Sequence, residues 1–197
     1  MSDQWEPGQP VGMKTERFVL RSLVPKDASD IYVSWWNDAE IQQGFGAGPR
    51  GWSKEDAQRH IARFNNKTSF HLGIFLPGDT LPLGFFAVFL ERQKLARTNI
   101  LIGNKDYWGK DVALEVRTRV LNFLFRRLGV EKVYGKIHGR NYASMYNYTA
   151  LGFTAEGVQR SHIDGPDGER LDVMLYGILR DEWIARQRVE EGGDDSI

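Results

Sequence analysis

The sequence predicts a mixed α/β domain of the α+β kind, in which strands and helices share one core. Three observations predict it. Two short runs rich in Phe, Ile, Leu and Val, Ser69 to Leu76 and Leu83 to Leu90, are separated by Pro77-Gly78-Asp79, which is hairpin chemistry. A long segment from Asp111 to Leu128 keeps its apolar residues at helical spacing. Strand-like and helix-like patterns then alternate toward the end of the chain, with loops short enough for one compact domain.

Taken in order, residues 1–14 are rich in Gly, Pro and polar groups and read as an N-terminal arm. Arg17 to Leu23 alternates polar and apolar residues, with Phe18 and Leu20 on the buried side of a strand. Pro25-Lys26-Asp27 opens a helix carrying Ile31, Trp35 and Trp36. Ser53 is an N-cap ahead of Glu55 and Asp56, acids that suit the positive end of a helix, and Ala57, Ile61 and Phe64 follow at helical spacing. The hairpin comes next, then a third strand at Arg97 to Ile102.

In the long helix Val112, Val116, Val120, Leu121, Leu124 and Leu128 form the apolar stripe, and Gly129 stands where a left-handed C-cap belongs. A strand at Lys132 to His138, a helix at Asn141 to Leu151, a strand from Phe153, a turn at Asp164 to Gly168 and a strand at Leu171 to Leu179 complete the pattern. The domain is assigned to residues 15–186, and residues 187–197 to an acidic flexible tail that frays from Glu190 onward.

Composition excludes several classes. Lys plus Arg and Asp plus Glu balance at 26 each among 197 residues, so no global field draws the protein to nucleic acid or an anionic membrane. With no cysteine there is no disulfide, thiolate metal site or cysteine nucleophile. His60, His71, His138 and His162 lack ligand spacing, so no metal is expected. The N-terminus has no basic start followed by an apolar run, and no apolar stretch would cross a bilayer, which points to the cytoplasm.

Chemistry is suggested first at Ile100 to Ala113, where an apolar strand passes through a glycine-containing loop into the long helix. The first turn of a helix has backbone N–H groups without intrahelical partners at the positive end of its dipole, so it suits a pyrophosphate, and Lys110 would add a point charge. An ordinary turn is the other reading of the same residues.

A second segment narrows the choice. Asn141, Ser144, Tyr148, Gly152-Phe153 and Glu156-Gly157 resemble the Asn-x-x-Ser, Tyr-x-x-x-Gly-Phe, Glu-Gly signature of RimJ/RimL-like members of the Gcn5-related N-acetyltransferase (GNAT) superfamily. The likeness extends to Trp36-Asn37-Asp38-Ala39-Glu40, Tyr107-Trp108-Gly109-Lys110 and the stretch Gly177 to Trp183, about residues 15 to 186. It implies the acyl-CoA N-acyltransferase fold, a twisted central mixed sheet flanked by helices, with acetyl-CoA as co-substrate. Its central strands would splay apart, with the pantetheine arm beside the strand ending near Ile102 and the pyrophosphate on Trp108, Gly109, Lys110, Asp111, Val112 and Ala113. Asp111 stands where the family usually has glycine; it either hinders the phosphate or caps the helix.

By the same resemblance Asn141 and Ser144 contact the coenzyme, Tyr148 is the general acid near the thioester sulfur, and Ser144 is an alternative donor. Read from the residues alone, Asn141 and Ser144 equally make a helix cap, and Tyr148 a core tyrosine. Relatives often carry a glutamate before the loop, whereas Leu95 to Ile100 holds no acid; Glu91, Asp38, Glu40, His71 and His138 are unranked substitutes. Trp35, Trp36, Phe45 and Trp52 are candidates to line the substrate side or to be core, and 42–51 reads as a mobile substrate-side loop.

The expected reaction is direct acetyl transfer to a primary amine, whether an amino sugar, an antibiotic, a polyamine or a protein N-terminus. The alternatives are a weakened or inactive acyl-CoA-binding sensor of the same fold, and transfer of a longer acyl group. A homodimer through the last hairpin is possible on apolar strand edges.

Overall fold

The structure is a computed structural model and describes residues 5–192. Its strands are β1 (Gly12–Lys14), β2 (Val19–Ser22), β3 (Ser69–Phe75), β4 (Gly84–Glu91), β5 (Leu95–Ile102), β6 (Lys132–His138), β7 (Thr154–Asp164) and β8 (Arg170–Leu179). The helices are α1 (Asp30–Asn37), α2 (Ala39–Gln43), α3 (Lys54–Ala62), α4 (Val112–Arg126), α5 (Tyr142–Ala150) and α6 (Arg180–Gly192). All eight strands form one sheet in the order β1-β2-β3-β4-β5-β6-β8-β7. Every pairing is antiparallel except β5 with β6, which is parallel.

Period-two alternation divides the apolar residues between the two faces of this sheet. Phe70, Leu72, Ile74, Phe86, Val88 and Ala96 share one core with α4, α5 and Trp183 of α6. Phe75, Phe85, Ala87 and Leu101, the alternate residues, share the other with α1, α2 and α3. The helices have local causes. Ser29 caps α1 by accepting from Tyr32 N–H, Asp38 caps α2, and Ser53 with Asp56 forms a capping box for α3. Gly129 takes the left-handed conformation expected of it, with φ 65°.

Several expectations are corrected. Pro25–Asp27 is a separate 3-10 turn, and the helix proper starts only after Ser29. The 1–14 arm contains β1, paired antiparallel to β2, because its backbone completes the sheet edge. The 187–197 tail is helical up to Gly192, its remainder lying outside the described residues; Gln187 is buried as α6 continues. β7 is an edge strand, largely exposed.

One core carries a pH dependence. His71 is 1% exposed and lies among Tyr32, Phe64, Phe85 and His60, while His60 packs against Trp36 and Trp52. Burial holds both histidines neutral, His60 with its pKa lowered to about 4, helped by the positive charges of Arg63 and Arg50. Above the unfolded value, 6.5, neither contributes a difference; below it the unfolded chain takes up protons that the folded chain refuses. Stability is therefore expected to fall as pH drops from 6.5 toward about 4. Unfolding free energies from urea titrations at about pH 7.5 and 5 should differ by about 1 kcal/mol for His60 alone, after allowance for its solvent-facing edge. A His60→Phe variant should show a smaller difference.

Candidate active site

The parallel ladder between β5 and β6 runs only from Leu95↔Lys132 to Arg97↔Tyr134, after which the strands part. Tyr148 of α5 lies at the fork. Its hydroxyl is 3.4 Å from the Thr98 carbonyl, and a Cβ on Gly135 would overlap it, so β6 needs glycine at this point. The Tyr148 ring is 3% exposed and packs edge-on to Phe153, which explains the Gly-Phe that follows the helix. Beyond the fork the strands border a cavity of about 950 Å³.

The loop from Tyr107 to Ala113 closes one end of this cavity. The Trp108 indole N–H donates to the Ile102 carbonyl at 2.8 Å, tying the loop to the end of β5. Arg17 ion-pairs with Glu115 at 2.6 Å and donates to the Lys110 carbonyl at 3.0 Å, clamping the loop from outside. Asp111 occupies the N-cap position of α4 but with φ 55°, ψ 18°, and its side chain makes no capping bond. The capping role expected for it is therefore wrong; a left-handed turn positions the residue without directing its carboxylate at the helix N–H groups.

The start of α5 forms a second wall. Asn141 caps the helix by accepting from Ser144 N–H at 2.9 Å, so the capping alternative holds for this pair. Asn141 Nδ2 also donates to the Gly44 carbonyl at 2.7 Å, and His138 Nε2 lies 3.1 Å from the same oxygen. The glycine-rich 42–51 loop is thus fastened, through Gly44, to the start of α5 and the end of β6, and internal bonds such as Ala47 N–H to the Gln42 carbonyl further order it.

Of the residues singled out in the sequence, Ile102, Trp108, Gly109, Asp111, Val112, Ala113, Asn141, Ser144, Tyr148 and Phe45 all border the cavity. Lys110 does not; its ammonium lies 5.5 Å from the Tyr107 ring. Trp36 and Trp52 are not on the cavity wall either: they stack on each other at 4.1 Å, and Trp36 stacks on Phe85, because the α1–α3 side buries them as core. Trp35 is core as well, lying over Gly103, where a Cβ would strike its ring.

The substitute bases separate on position. Glu91 sits at the far end of β4, bonded to the Tyr134 hydroxyl. Asp38 caps α2 and pairs with Lys105 at 2.8 Å, which together hold its carboxyl below the usual range. His71 is enclosed in the aromatic core. His138 borders the cavity, but its Nδ1 accepts from Arg140 N–H and its Nε2 meets Gly44. Glu40 borders it too, paired with Lys105 at 2.6 Å. Among the basic residues of the cavity wall, Lys136, Arg140 and the buried Arg117 were not anticipated. Arg117 was legible as a charge inside the apolar stripe, four residues before Leu121. Among the described residues no group of His, Asp and Glu has the arrangement of a metal site, and no helix is long and apolar enough to cross a membrane.

A sequence profile described as Acetyltransferase (GNAT) domain matches residues 17–154. The chain belongs to this family. It is an acyltransferase, and its GNAT relatives bear names that agree. Uncharacterized N-acetyltransferase p20 of Bacillus licheniformis is 23% identical over 175 residues, spanning 86% of this chain and 96% of its own. Uncharacterized N-acetyltransferase YoaA of Bacillus subtilis is 26% identical over 175 residues, spanning 85% and 96%. The GNAT fold is matched by spermidine N-acetyltransferase from Vibrio cholerae, solved with CoA and spermine, at TM-score 0.75 and 19% identity over 85% of this chain and 98% of that one. Ribosomal-protein-S5-alanine acetyltransferase from Vibrio fischeri matches at TM-score 0.74 and 16% identity over 88% and 98%.

Proposed function

We propose that this protein transfers an acetyl group from acetyl-CoA directly to a primary amine, within the RimJ/RimL-like branch and in the cytoplasm. The observation that carries it is the fork between β5 and β6, with Tyr148 at its apex and the starts of α4 and α5 at its mouth. An open strand edge offers unpaired backbone groups to an amide-bearing arm such as pantetheine. The first-turn N–H groups of α4, at Val112 and Ala113, suit the pyrophosphate.

The neutral amine attacks the thioester carbonyl, a C–N bond forms, and the C–S bond breaks as the oxyanion collapses. Tyr148 supplies the proton that the departing thiolate takes up, with Ser144 as the other candidate. The proton lost by the amine leaves through water, since the cavity's carboxylates are Glu40, held by Lys105, and Asp111 at the phosphate end. Acceptors fitting this chemistry are a small-molecule amine (amino sugar, antibiotic or polyamine) or a protein N-terminus; the neighbours named for spermidine and for a ribosomal-protein alanine span that range.

A second reading, an acyl-CoA-binding module of weakened or lost turnover, is favoured by Asp111, a carboxylate in left-handed backbone at the phosphate loop. Calorimetric titration with acetyl-CoA and coenzyme A tests the common step. The protein is expected to bind both at micromolar concentration, and Asp111→Gly to bind about tenfold tighter, because it removes a like charge and relaxes the turn. Absence of binding by both proteins would remove the acyl-CoA reading. Binding without turnover on any amine of a broad panel would favour the module.

A further inference from the structure

Among the described residues, Arg117 is the only Lys, Arg, Asp or Glu in the buried class, at 1% exposure. It projects from α4 to the helix side of the fork. Its guanidinium carbon lies 4.1 Å from the centre of the Tyr148 ring and 5.5 Å from that of Phe86. Its one polar contact is Nη1 to Thr98 Oγ1 at 3.4 Å, and Nε has no partner. No carboxylate pairs with it among the described residues.

A guanidinium stays charged under all ordinary conditions, and removing it from water without an anion is costly. Contact with two aromatic rings recovers part of this cost and leaves Nε without a partner, with one long bond from Nη1. The residue also borders the cavity beside the proposed acid, so the missing anion can enter with a ligand.

That anion is not the pyrophosphate. Arg117 stands six positions after Asp111, about 9 Å along the helix at the usual rise, and its guanidinium is turned onto the Tyr148 ring. Arg117 packs against Tyr148 and Phe86, members of the core that holds α4 and α5, whereas α1 and α3 pack on the opposite face of the sheet. The position beside Tyr148 is where the acyl end of the thioester belongs under the function proposed above, on which this inference rests.

We infer that Arg117 binds a carboxylate at the end of the acyl chain, so that the preferred donor is a coenzyme A thioester of a dicarboxylic acid, of the malonyl or succinyl class. Transfer follows the same balance as before. The C–N bond forms, the C–S bond breaks, the thiolate takes the Tyr148 proton, and the distal carboxylate is carried unchanged into the amide. Acetyl-CoA fits the same site but leaves Arg117 without its anion.

The test is calorimetric affinity for malonyl-CoA and succinyl-CoA against butyryl-CoA and valeryl-CoA, uncharged esters of matching length, with acetyl-CoA as reference. The wild-type protein is expected to bind each carboxylated ester about tenfold or more tightly than its uncharged match. In Arg117→Gln that ratio should fall to about one, and Arg117→Lys should retain part of it. Because the wild-type ratio stands alone, a variant that failed to fold would not spare the proposal. Tight acetyl-CoA binding with no preference for the carboxylated esters overturns this inference and leaves the acetyltransferase reading intact, whereas no binding of any ester overturns both. If Arg117→Gln instead loses affinity for a carboxylate-bearing amine while donor affinities hold, the anion belongs to the acceptor and the inference is wrong.

Discussion

A Tyr148→Phe variant is expected to lose about a hundredfold in kcat, the usual size of a general-acid contribution, while its affinity for acetyl-CoA changes little. The asymmetry follows from geometry. The phenol contributes one contact to the folded protein, at 3.4 Å to the Thr98 carbonyl, which is the outer limit of a hydrogen bond. Its ring packs with Phe153 and Tyr176, contacts that phenylalanine keeps. Removing the hydroxyl thus spares the fork and takes away the proton. Steady-state rates, on an amine found by screening polyamines, amino sugars and N-terminal peptides, check this. Ser144→Ala is the matched comparison. If it loses the rate and Tyr148→Phe keeps it, the serine is the donor.

The second large effect is expected from Gly135→Ala. The added methyl group would overlap the Tyr148 hydroxyl and the ring carbons nearest it. Tyr148 cannot swing aside freely, because the Arg117 guanidinium covers it at 4.1 Å and Phe153 supports it at 4.7 Å. The strain should lower stability by about 1–3 kcal/mol, measured by urea unfolding, and the rate should fall at least to that of Tyr148→Phe. Adding Tyr148→Phe to Gly135→Ala should restore part of the stability and none of the rate. Full additivity of the two stability changes would show that they do not share this contact.

Much of this architecture was legible. The Lys132–His138 strand, the long α4 and the start of α3 were readable because each has a local cause: Val133 and Ile137 on one face of a short segment, a sustained 3.6-residue stripe, or a serine ahead of acids. What escaped depends on tertiary context. The five residues of α2 are too few to show a period, and β1 exists because β2 offers it an edge. The polar end of α6 has no apolar stripe to announce it.

The site divided along the same line. The loop residues and the Asn141, Ser144 and Tyr148 set were singled out through the spacing of a signature, and the fold brings all of them except Lys110 to one cavity. Trp36 and Trp52 were candidates for a pocket because aromatic residues near the presumed acceptor side can go either way. Stacking on Phe85 takes Trp36 into the core, and Trp52, partly buried, stacks on Trp36. Asp111 and Arg117 were the harder cases. Each departs from its local pattern, and only the backbone angles of the first and the missing partner of the second show what the departure does.

The Gly44 carbonyl ties separate walls of the cavity together. One oxygen receives both Asn141, which caps α5, and His138, at the end of β6. The chain that follows it carries Phe45 to the cavity wall. Displacing the 44–46 segment would break both hydrogen bonds at once, so a loop, a helix start and a strand end are coupled mechanically through a single peptide group.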